Sequence, residues 1–344
     1  MKVVIDAHGG DLGLKPNIEG ALDFLKENPD EIILTGRDSE IREVLRSLGI
    51  SSLPQRLSII DAPQIVEMDG EPVEECRKKP NSSLVTAADL VAEKKADAMI
   101  SAGNSGAIMV AALLKIKRIK GVSRPAIAVP YPTEKGYSLL LDAGANMDSK
   151  PWHLVQFAVM GSIYMKNMAS IENPKVGILS IGEEECKGNS LVLETIPLLK
   201  KAPINFYGPI EGRDLPFGLT DVVVTDGFTG NVALKLSEGL AKFLFKSIKD
   251  RIKGKFTYAI GAMLMKKIFY DMKAKTNPDE FGGAPLLGIN GVVLVSHGKT
   301  SPKAIKNAAK KAAGLASCGY VEKIRKEAEA MKEEEPEAES GASA

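Results

Sequence analysis

Short apolar runs recur along the chain, and segments with helical periodicity lie between them. Most of these runs are continuously apolar rather than alternating, which is typical of strands that are covered on both faces. The runs predict strands at residues 2–6, 31–35, 57–61, 98–101, 126–130, 137–142, 176–180, 221–226 and 292–296. The periodic segments predict helices at residues 17–27, 39–48, 84–95, 152–167, 191–200 and 303–318. This alternation predicts an α/β fold of three layers, with a mostly parallel twisted sheet between helices.

The chain shows no internal repeat, and we expect one large α/β unit over residues 1–321. Residues 229–275 are expected to protrude from it as a helical segment that serves dimer or membrane contact. Residues 322–344 are rich in Lys and Glu and predict a charged helical or disordered tail that is dispensable. Residues 98–114 carry no formal charge, but polar and glycine residues interrupt them. Because a membrane span needs roughly 20 apolar residues, we predict a buried strand, a polar turn and a buried helix there instead.

Composition excludes several classes of protein. Of the 344 residues, 44% are hydrophobic, which is enough for a large core and excludes a disordered chain. The 45 Lys and Arg residues balance 44 Asp and Glu, and aromatic residues make up only 5%, so nothing favours a nucleic-acid partner. The three cysteines, Cys76, Cys186 and Cys318, lack metal-ligand spacing and indicate a reducing cytosol. The first ten residues predict a strand and a glycine turn rather than a signal peptide.

The candidate chemistry lies in polar, glycine-rich loops that follow the predicted strands. Glycine lets the backbone approach a ligand closely, and a helix that begins in such a loop offers free N–H groups to an anion. Any one loop has the ordinary explanation of a strand-to-helix turn. We expect all six on the same edge of the sheet, where together they predict a long polar cleft for a phosphate-bearing ligand. The loops are residues 6–11, 101–107, 142–146, 182–189, 226–231 and 296–301.

Several familiar motifs are missing from these loops. Gly298-Lys-Thr resembles the end of a P-loop, but Val293 stands where that motif needs a glycine. The loop at 103–106 is neither a dinucleotide fingerprint nor a nucleophile elbow. The three histidines form no zinc motif, so we expect no metal and no cofactor. We expect His153, at a helix start, to be structural, whereas His8 and His297 either face the ligand or support their loops.

Taken in order, these loops resemble the phosphate acyltransferase family of bacterial phospholipid synthesis, over about residues 1–321. The motifs that carry the resemblance are Asp6-Ala-His-Gly-Gly-Asp with Pro16, Ser101-Ala-Gly-Asn-Ser-Gly-Ala, Asp142-Ala-Gly-Ala-Asn, Gly182-Glu-Glu with Lys187-Gly-Asn, Asp226-Gly-Phe-Thr-Gly-Asn with Lys235, and Gly282-Gly-Ala-Pro-Leu-Leu-Gly with His297-Gly. The chain departs from the family pattern at His8, where Met is usual, at Ala143, where Val is usual, and at Pro16, which comes later than the usual proline.

The resemblance implies a fold similar to that of phosphotransacetylases and of isocitrate and isopropylmalate dehydrogenases. It also implies a homodimer that reversibly transfers a long-chain acyl group from acyl carrier protein to inorganic phosphate. A membrane glycerol-phosphate acyltransferase would then consume the acyl phosphate. Phosphate is already an oxyanion at neutral pH, so the site needs to supply position and charge rather than a protein nucleophile.

Candidate site residues follow from the loops and the resemblance together. The two lysines, Lys187 and Lys235, have the alternative explanation of solvated surface residues. The aspartates are expected to orient amides and lysines or to accept a hydrogen bond from protonated phosphate; they are Asp6, Asp11, Asp142 and Asp226. We expect the catalytic residues to be Asn104, Ser105, Lys187, Asn231 and Lys235. We expect substrate or phosphate contacts at Asp6, Gly9, Gly10, Asp11, Ser101, Gly103, Gly106, Asp142, Asn146, Asp226, Gly227, Thr229, Gly230, His297 and Gly298.

The segment after Asp226 combines an amphipathic pattern with an excess of basic residues. Apolar residues at helical spacing from Val232 to Ile252 predict a long amphipathic helix, and a short apolar stretch follows it. Nine basic and two acidic residues occupy 246–275, as an interfacial segment on an anionic membrane would need. A dimer-interface helix pair, or a docking surface for the acidic carrier protein, explains the same pattern. The candidate membrane contacts are Phe256, Ile260, Met263 and Leu264.

Three other functions remain as alternatives. An acyl-CoA:phosphate transferase would use the same loops with a different donor. A decarboxylating dehydrogenase would need an arginine cluster and paired aspartates for a metal ion, whereas the arginines here are scattered along the sequence. A non-catalytic scaffold that binds carrier protein or membrane has no need of so many polar glycine loops.

Overall fold

The computed structural model describes residues 1–275 and 277–331, without the side chains of residues 273 and 278. Its strands are β1 (Lys2–Asp6), β2 (Glu31–Gly36), β3 (Leu57–Asp61), β4 (Ala98–Ser101), β5 (Ala126–Thr133), β6 (Gly136–Leu141), β7 (Lys175–Ser180), β8 (Asn205–Glu211), β9 (Val222–Val224), β10 (Ala284–Leu287) and β11 (Val292–Val295). Its helices are α1 (Leu14–Glu27), α2 (Asp38–Ser47), α3 (Pro72–Lys78), α4 (Ser83–Ala92), α5 (Ser105–Ala111), α6 (Pro151–Met168), α7 (Ser190–Lys201), α8 (Gly227–Ile252), α9 (Phe256–Leu264), α10 (Lys266–Lys275), α11 (Pro278–Phe281), α12 (Pro302–Ser317) and α13 (Tyr320–Ala330). A π-helical turn (Ala112–Ile116) extends α5, and a 3₁₀ turn (Gly212–Phe217) follows β8.

All these strands form one sheet in the order β3-β2-β1-β4-β11-β10-β5-β6-β9-β7-β8. Strands β1 to β4 and β11 are parallel to one another. Strand β10 is antiparallel to both of its neighbours, and β5 is antiparallel to β6, which begins a second parallel set of β6, β9, β7 and β8. The sheet therefore consists of two parallel halves that run in opposite directions.

The opposite directions correct one expectation from the sequence. Strands β1, β4 and β11 end at one edge of the sheet, which we call the first edge. Strands β6, β7 and β9 end at the other, the second edge. The six polar loops are thus divided three and three and do not share one edge. Local sequence predicts a strand but not its direction, because the direction depends on which distant strand it pairs with.

Helices cover both faces of the sheet, as the continuously apolar strands predict. In β1, Val3 and Ile5 face α1 and α12 on one side, and Val4 faces α4 and α5 on the other. In the second half, β7 and β9 pack against α6 and α7 on the first face, while α8 begins on the other. These layers confirm the predicted three-layer α/β class.

Most predicted elements are found within a few residues of their expected bounds. The uncharged stretch at 98–114 forms β4, a turn, α5 and the start of the π-helical turn, as predicted. Two strands escaped prediction, β8 and β10. Gly208 and Pro209 interrupt the apolar pattern of β8, and β10 is a four-residue strand that contains Pro285. Glycine and proline are disfavoured inside strands, so they weaken the sequence pattern by which a strand is predicted. They are tolerated here because β8 is an edge strand and β10 is short.

The core extends past the expected unit boundary at 321. Helix α13 buries Tyr320, Ile324 and Ala328, and Met331 is 4% exposed in the main core. The first part of the expected tail is therefore packed helix, and residues 332–344 lie outside the described part of the chain. Nowhere in the described residues does a helix combine the length and the apolar character that a membrane crossing requires.

Candidate active site

A buried carboxylate organises the first edge. Asp6, at the end of β1, is 3% exposed and accepts a hydrogen bond of 2.7 Å from the Ser101 hydroxyl at its Oδ2. Ser101 Oγ in turn accepts from the Gly103 amide at 3.0 Å. Burial raises the pKa of Asp6 above its usual value. Its Oδ1 makes no hydrogen bond of ordinary geometry to the described residues, although the neighbouring Ser83 hydroxyl opposes the rise in the pKa of the carboxyl. We call Asp6, Gly9, Ser101 and Gly103 the Asp6 cluster.

Glycines let the first-edge loops touch one another. A Cβ on Gly9 would lie 2.8 Å from Asp6 Oδ2 and 2.9 Å from the Gly103 amide. The loop after β1 also meets the loop after β11, since the Asp11 amide donates to the Gly298 carbonyl at 2.7 Å. Gly10, at φ 108°, lies against the same carbonyl. The Ser101 hydroxyl and the Gly103 amide are thus engaged inside the protein, so they support the loop rather than present free donors to a ligand.

Asn104 is likewise engaged by its neighbours. Its Oδ1 caps α5 by accepting from the Ala107 amide at 3.1 Å. Its Nδ2 donates to the carbonyls of Met68 and Gly70, at 3.0 and 3.2 Å. The side chain therefore connects the start of α5 to the segment before α3, where Gly106 also packs closely. This arrangement positions Ser105, the exposed first residue of α5, at the mouth of a groove.

A second buried carboxylate organises the second edge. Asp142 is fully buried after β6 and accepts from the amides of Ile127, Gly144, Ala145 and Asn146 and from the Asn146 side chain. Asn146 also donates to the Pro125 carbonyl at 2.7 Å. Both side chains are therefore committed to holding the loop. We call Asp142, Gly144, Asn146, Gly227, Gly230 and Asn231 the Asp142 cluster.

The start of α8 packs directly on this loop. A Cβ on Gly230 would lie 1.9 Å from the Asp142 carbonyl oxygen, and one on Gly227 would lie 2.5 Å from that of Asn146. Asp226 caps the helix, accepting from the Thr229 amide at 2.9 Å and from its hydroxyl at 2.7 Å. The Gly227 amide donates to Asn146 O. These two glycines therefore serve close packing, and the Gly227 amide is not free to bind an anion.

The residues with free polar atoms meet in what we call the inner groove, a cavity of about 180 Å³. Ser105 reaches it from the end of β4, and Ser296 and His297 reach it from the end of β11. Lys235 enters from α8, one turn beyond Asn231. Helix α8 therefore begins at the second edge and brings a cation to the first. The groove is completed by Val129, Pro130, Leu234, Glu238, Asp279, Phe281, Gly283, Ala284, Val295, Thr300 and Ala304.

The two candidate catalytic lysines lie in different places. Lys235 is exposed and, within the described part of the chain, pairs with Glu238 alone at a long distance of 3.4 Å. Lys187 lies after β7 at the second edge and pairs with Glu184 at 2.9 Å, which raises its pKa. Both ion pairs are solvent-exposed and weak, so an anionic ligand can displace either carboxylate. The structure places Lys235, and not Lys187, among the residues that line the inner groove.

Sequence reasoning did not single out Ser296. Its hydroxyl is buried and has no hydrogen-bond partner among the described residues, although its amide donates to the Ser101 carbonyl at 2.8 Å. Such a group inside a groove is a free donor or acceptor for a ligand. Its position directly after β11, beside the loop that follows β4, is the signal that points to it.

The three histidines have distinct environments. His153 Nδ1 accepts from the Lys150 amide at the start of α6, as a structural histidine at a helix start would. His8 Nε2 accepts from the Arg37 amide at 3.1 Å and ties β1 to β2, and burial lowers its pKa. His297 is exposed in the inner groove and accepts from the Lys299 amide through Nδ1. His297, unlike the other two, therefore lines the candidate site.

A larger cavity lies next to the inner groove along α8. It has a volume of about 830 Å³ and lies between α8, α10 and the loop after β11. We call it the outer groove, and it shares Glu238, Asp279 and His297 with the inner one. Its other lining residues are Ala241, Lys242, Phe245, Lys246, Ile248, Lys249, Ile252, Phe269, Asn277 and Lys299.

Comparison with known proteins places this chain among acyl-transfer enzymes. The family described as "Fatty acid synthesis protein" matches residues 1–323. A phosphate acyltransferase of Elusimicrobium minutum is 56% identical over 333 residues, which are 97% of each chain. A phosphotransacetylase from Streptococcus pyogenes superposes with a TM-score of 0.63 at 19% identity, covering 92% of this chain and 94% of its own. A 4-hydroxythreonine-4-phosphate dehydrogenase from Klebsiella pneumoniae superposes with a TM-score of 0.54 at 13% identity, over 92% and 98%. Both structures confirm the predicted fold class.

Proposed function

The chain belongs to the phosphate acyltransferase family, and from this membership we propose that it transfers a long-chain acyl group from acyl carrier protein to inorganic phosphate for phospholipid synthesis. The observation that carries the proposal is the 56% identity to a phosphate acyltransferase over 97% of both chains. The inner groove supports it by bringing the Lys235 ammonium, the Ser105 and Ser296 hydroxyls and the His297 imidazole to one small, largely apolar cavity that Glu238 and Asp279 also line.

The proposed reaction needs no covalent enzyme intermediate. A phosphate oxygen attacks the thioester carbonyl carbon, a tetrahedral oxyanion forms, and the carbon–sulfur bond breaks as the thiolate leaves. Reversal is attack of the thiolate on the acyl phosphate. Holding both reactants in attack geometry contributes about 7–11 kcal/mol, and each donor aimed at the oxyanion adds roughly 3–4 kcal/mol.

We assign the contacts from the free polar atoms. Lys235 and the Ser105 hydroxyl hold phosphate, and the Ser296 hydroxyl and His297 Nε2 face the thioester carbonyl. Asn104 and Asn231 act as positioning residues, because Asn104 holds the start of α5 and Asn231 packs beside Gly144 at the start of α8. Lys187 remains a proposed anion contact at the second edge.

Purified protein with palmitoyl-acyl carrier protein tests the reaction. Free thiol release and hydroxylamine-trapped acyl phosphate are followed with and without phosphate. Release of both products only with phosphate supports the proposal. Thiol release without phosphate would identify a thioesterase, release from acyl-CoA alone would identify a phosphotransacetylase-like enzyme, and no release from either donor would indicate a scaffold.

Lys235→Met and Ser105→Ala test the site assignment. Removing the cation should raise the KM for phosphate at least about tenfold, since a charge-assisted hydrogen bond contributes about 1.5–3 kcal/mol. Lys201→Met is the matched control, because Lys201 is exposed at the end of α7 and outside both grooves. Unchanged phosphate KM in both groove variants would exclude the inner groove as the phosphate site.

An acidic carrier protein is the proposed partner because of charge. Residues 246–275 hold nine basic against two acidic residues, and three lysines of α8, Lys242, Lys246 and Lys249, stand along the outer groove. Opposite charges steer association, so kcat/KM for the carrier-bound donor should fall steeply as salt rises. If salt lowered kcat/KM equally for the carrier-bound donor and for an uncharged short thioester, this docking surface would be contradicted.

The tip of the α8–α10 segment is the proposed membrane contact. Phe256, Met263 and Leu264 are 81%, 67% and 80% exposed, and Ile260 is 42% exposed. Apolar tips with basic flanks bind anionic leaflets. Met263→Asp with Leu264→Asp should abolish flotation with anionic vesicles, whereas Phe217→Asp, an exposed apolar residue elsewhere, should not. Flotation retained by the double variant would count against the tip.

A homodimer is the proposed assembly, with the other side of α8 as its interface. Leu236, Leu240 and Phe243 are 70%, 55% and 64% exposed along one helix face. Exposed apolar patches of this kind mark protein contacts. Light scattering should give twice the chain mass for the protein, and Phe243→Asp should shift it towards the monomer. A monomeric wild-type protein would refute this assembly.

A further inference from the structure

We propose that the outer groove is the site of the donor's fatty acyl chain, with the chain laid along α8 from Glu238 towards Ile252. This assignment rests on the proposed acyl transfer and adds where the substrate's apolar part is bound. The three observations that support it are the chemistry of the lining, the adjacency to the inner groove and the direction of the helix.

The lining suits a hydrocarbon. Phe245, Ile252 and Phe269 are half-buried, and together with Ala241 and Ile248 they form the apolar wall. The volume of about 830 Å³ is in the range of small-molecule sites that bury most of an apolar ligand. The lysines along the groove can keep their methylene stems on the chain while their ammonium groups stay in water.

The outer groove begins where the chemistry is proposed to occur. Glu238, Asp279 and His297 line both cavities, so a carbonyl in the inner groove and an acyl chain in the outer groove would lie on either side of one shared wall. A separate surface pocket would show no such shared wall. This adjacency favours the substrate's own acyl chain over an unrelated ligand.

The helix sets the order of the lining residues. Positions 238, 241, 245, 248 and 252 recur at three- and four-residue spacing and so form one row on α8. At 1.5 Å rise per residue, the row from 238 to 252 spans about 21 Å. Ala241 is therefore near the carbonyl end of the chain, and Ile252 is near its methyl end.

This order gives a graded test with Ala241→Trp and Ile252→Trp. The kcat/KM of each protein is measured with octanoyl-, dodecanoyl- and hexadecanoyl-carrier protein at saturating phosphate. Each buried methylene contributes about fourfold to binding, so excluding about three should lower kcat/KM about 50-fold. Ala241→Trp, near the carbonyl end, should lower it for all three donors, and Ile252→Trp for the hexadecanoyl donor alone. Ala330→Trp, an exposed position on α13, is the matched control and should keep the wild-type profile.

The outcomes separate this inference from the proposed function. If the wild-type protein transfers no acyl group to phosphate, the proposed function fails. If it does, but both tryptophan variants retain the wild-type chain-length profile, the groove assignment is overturned. Equal losses for all three donors in both variants, with a changed mass in light scattering, would instead identify a second copy of this chain as the occupant. A chain-length cut-off that moves with the substituted position supports the assignment.

Discussion

The two edges of the sheet each have a buried aspartate at the end of a strand, yet the two carboxylates differ in their partners. Asp142 accepts from four amides and one side chain, so it is fully used by its own loop. Asp6 accepts from the Ser101 hydroxyl, and its Oδ1 makes no hydrogen bond of ordinary geometry to the described residues. The Asp142 cluster is thus a stable anchor for α8, whereas the carboxylate of the Asp6 cluster is less fully hydrogen-bonded.

This difference indicates that the Asp142 cluster has a structural role and that the Asp6 cluster is closer to the chemistry. Unsatisfied buried polar groups destabilise a protein and concentrate at functional sites. Among the described residues, Asp6 Oδ1 and Ser296 Oγ are such groups at the ends of β1 and β11, and Ser149 Oγ and Trp152 Nε1 are such groups in the segment that follows β6. Because Asp142 is fully hydrogen-bonded and Asp6 is not, variants of the Asp142 cluster should mainly affect stability, and variants of the Asp6 cluster should mainly affect pH dependence and activity.

Gly230→Ala should produce the largest effect. Its Cβ would lie 1.9 Å from the Asp142 carbonyl oxygen, so α8 must move off the loop, and we expect a loss of about 5 kcal/mol or more in stability. Gly261→Ala is the matched control, because a Cβ there meets open space and alanine favours a helix by about 1 kcal/mol. Thermal unfolding of both proteins checks this. Equal melting temperatures would refute the tight packing at Gly230.

Asp142→Ala should produce the next largest effect. It leaves several buried donors without an acceptor, each at a cost of about 1–3 kcal/mol. We expect the melting temperature to fall by about 10 °C. Asp11→Ala, which removes an exposed carboxylate at the first edge, is the control and should leave the melting temperature unchanged. If Asp142→Ala lowered the melting temperature less than Asp6→Ala does, Asp142 would not be the anchor.

Asp6→Asn should change how stability depends on pH. Burial raises the pKa of Asp6 from 3.8, so the folded state favours the protonated carboxyl. Its contribution is fully present below about pH 3.8 and is lost as pH rises through the folded-state pKa. The melting temperature of Asp6→Asn relative to wild type should therefore increase as pH is raised from 3.8. Parallel curves for the two proteins would show that Asp6 titrates normally.

His8→Gln should produce the smallest effect, with the opposite sign. Burial lowers the pKa of His8 from 6.5, although Asp6 and Glu40 oppose this shift and Arg37 adds to it. The neutral ring accepts from the Arg37 amide, so its contribution is present above pH 6.5 and is lost as pH falls through the folded-state pKa. Glutamine keeps an acceptor without a charge. Below pH 6.5 the wild type should lose stability relative to the variant, and an NMR titration of His8 should give a pKa below 6.5.

The sequence alone determined the parts that depend on neighbouring residues. Continuously apolar runs gave the predicted strands, three- and four-residue spacing gave α8, and the order of the loops gave the family. These signals are local, because burial on both faces and helical periodicity each produce a recognisable pattern of apolar residues within a short stretch of sequence. The loop motifs also placed polar residues at strand ends, which the structure shows on both edges.

Only the tertiary structure decided which of those polar groups are free. Ser101, Gly103 and Gly227 are hydrogen-bonded inside the protein, whereas the Ser296 hydroxyl, which the sequence did not single out, has no partner among the residues that the structure describes. Whether a donor is satisfied depends on what lies opposite it, and that is set by strand direction and by contacts between residues far apart in the chain. The reversal at β10 and β5 separated the loops, and the length of α8 brought Lys235 back to the first edge.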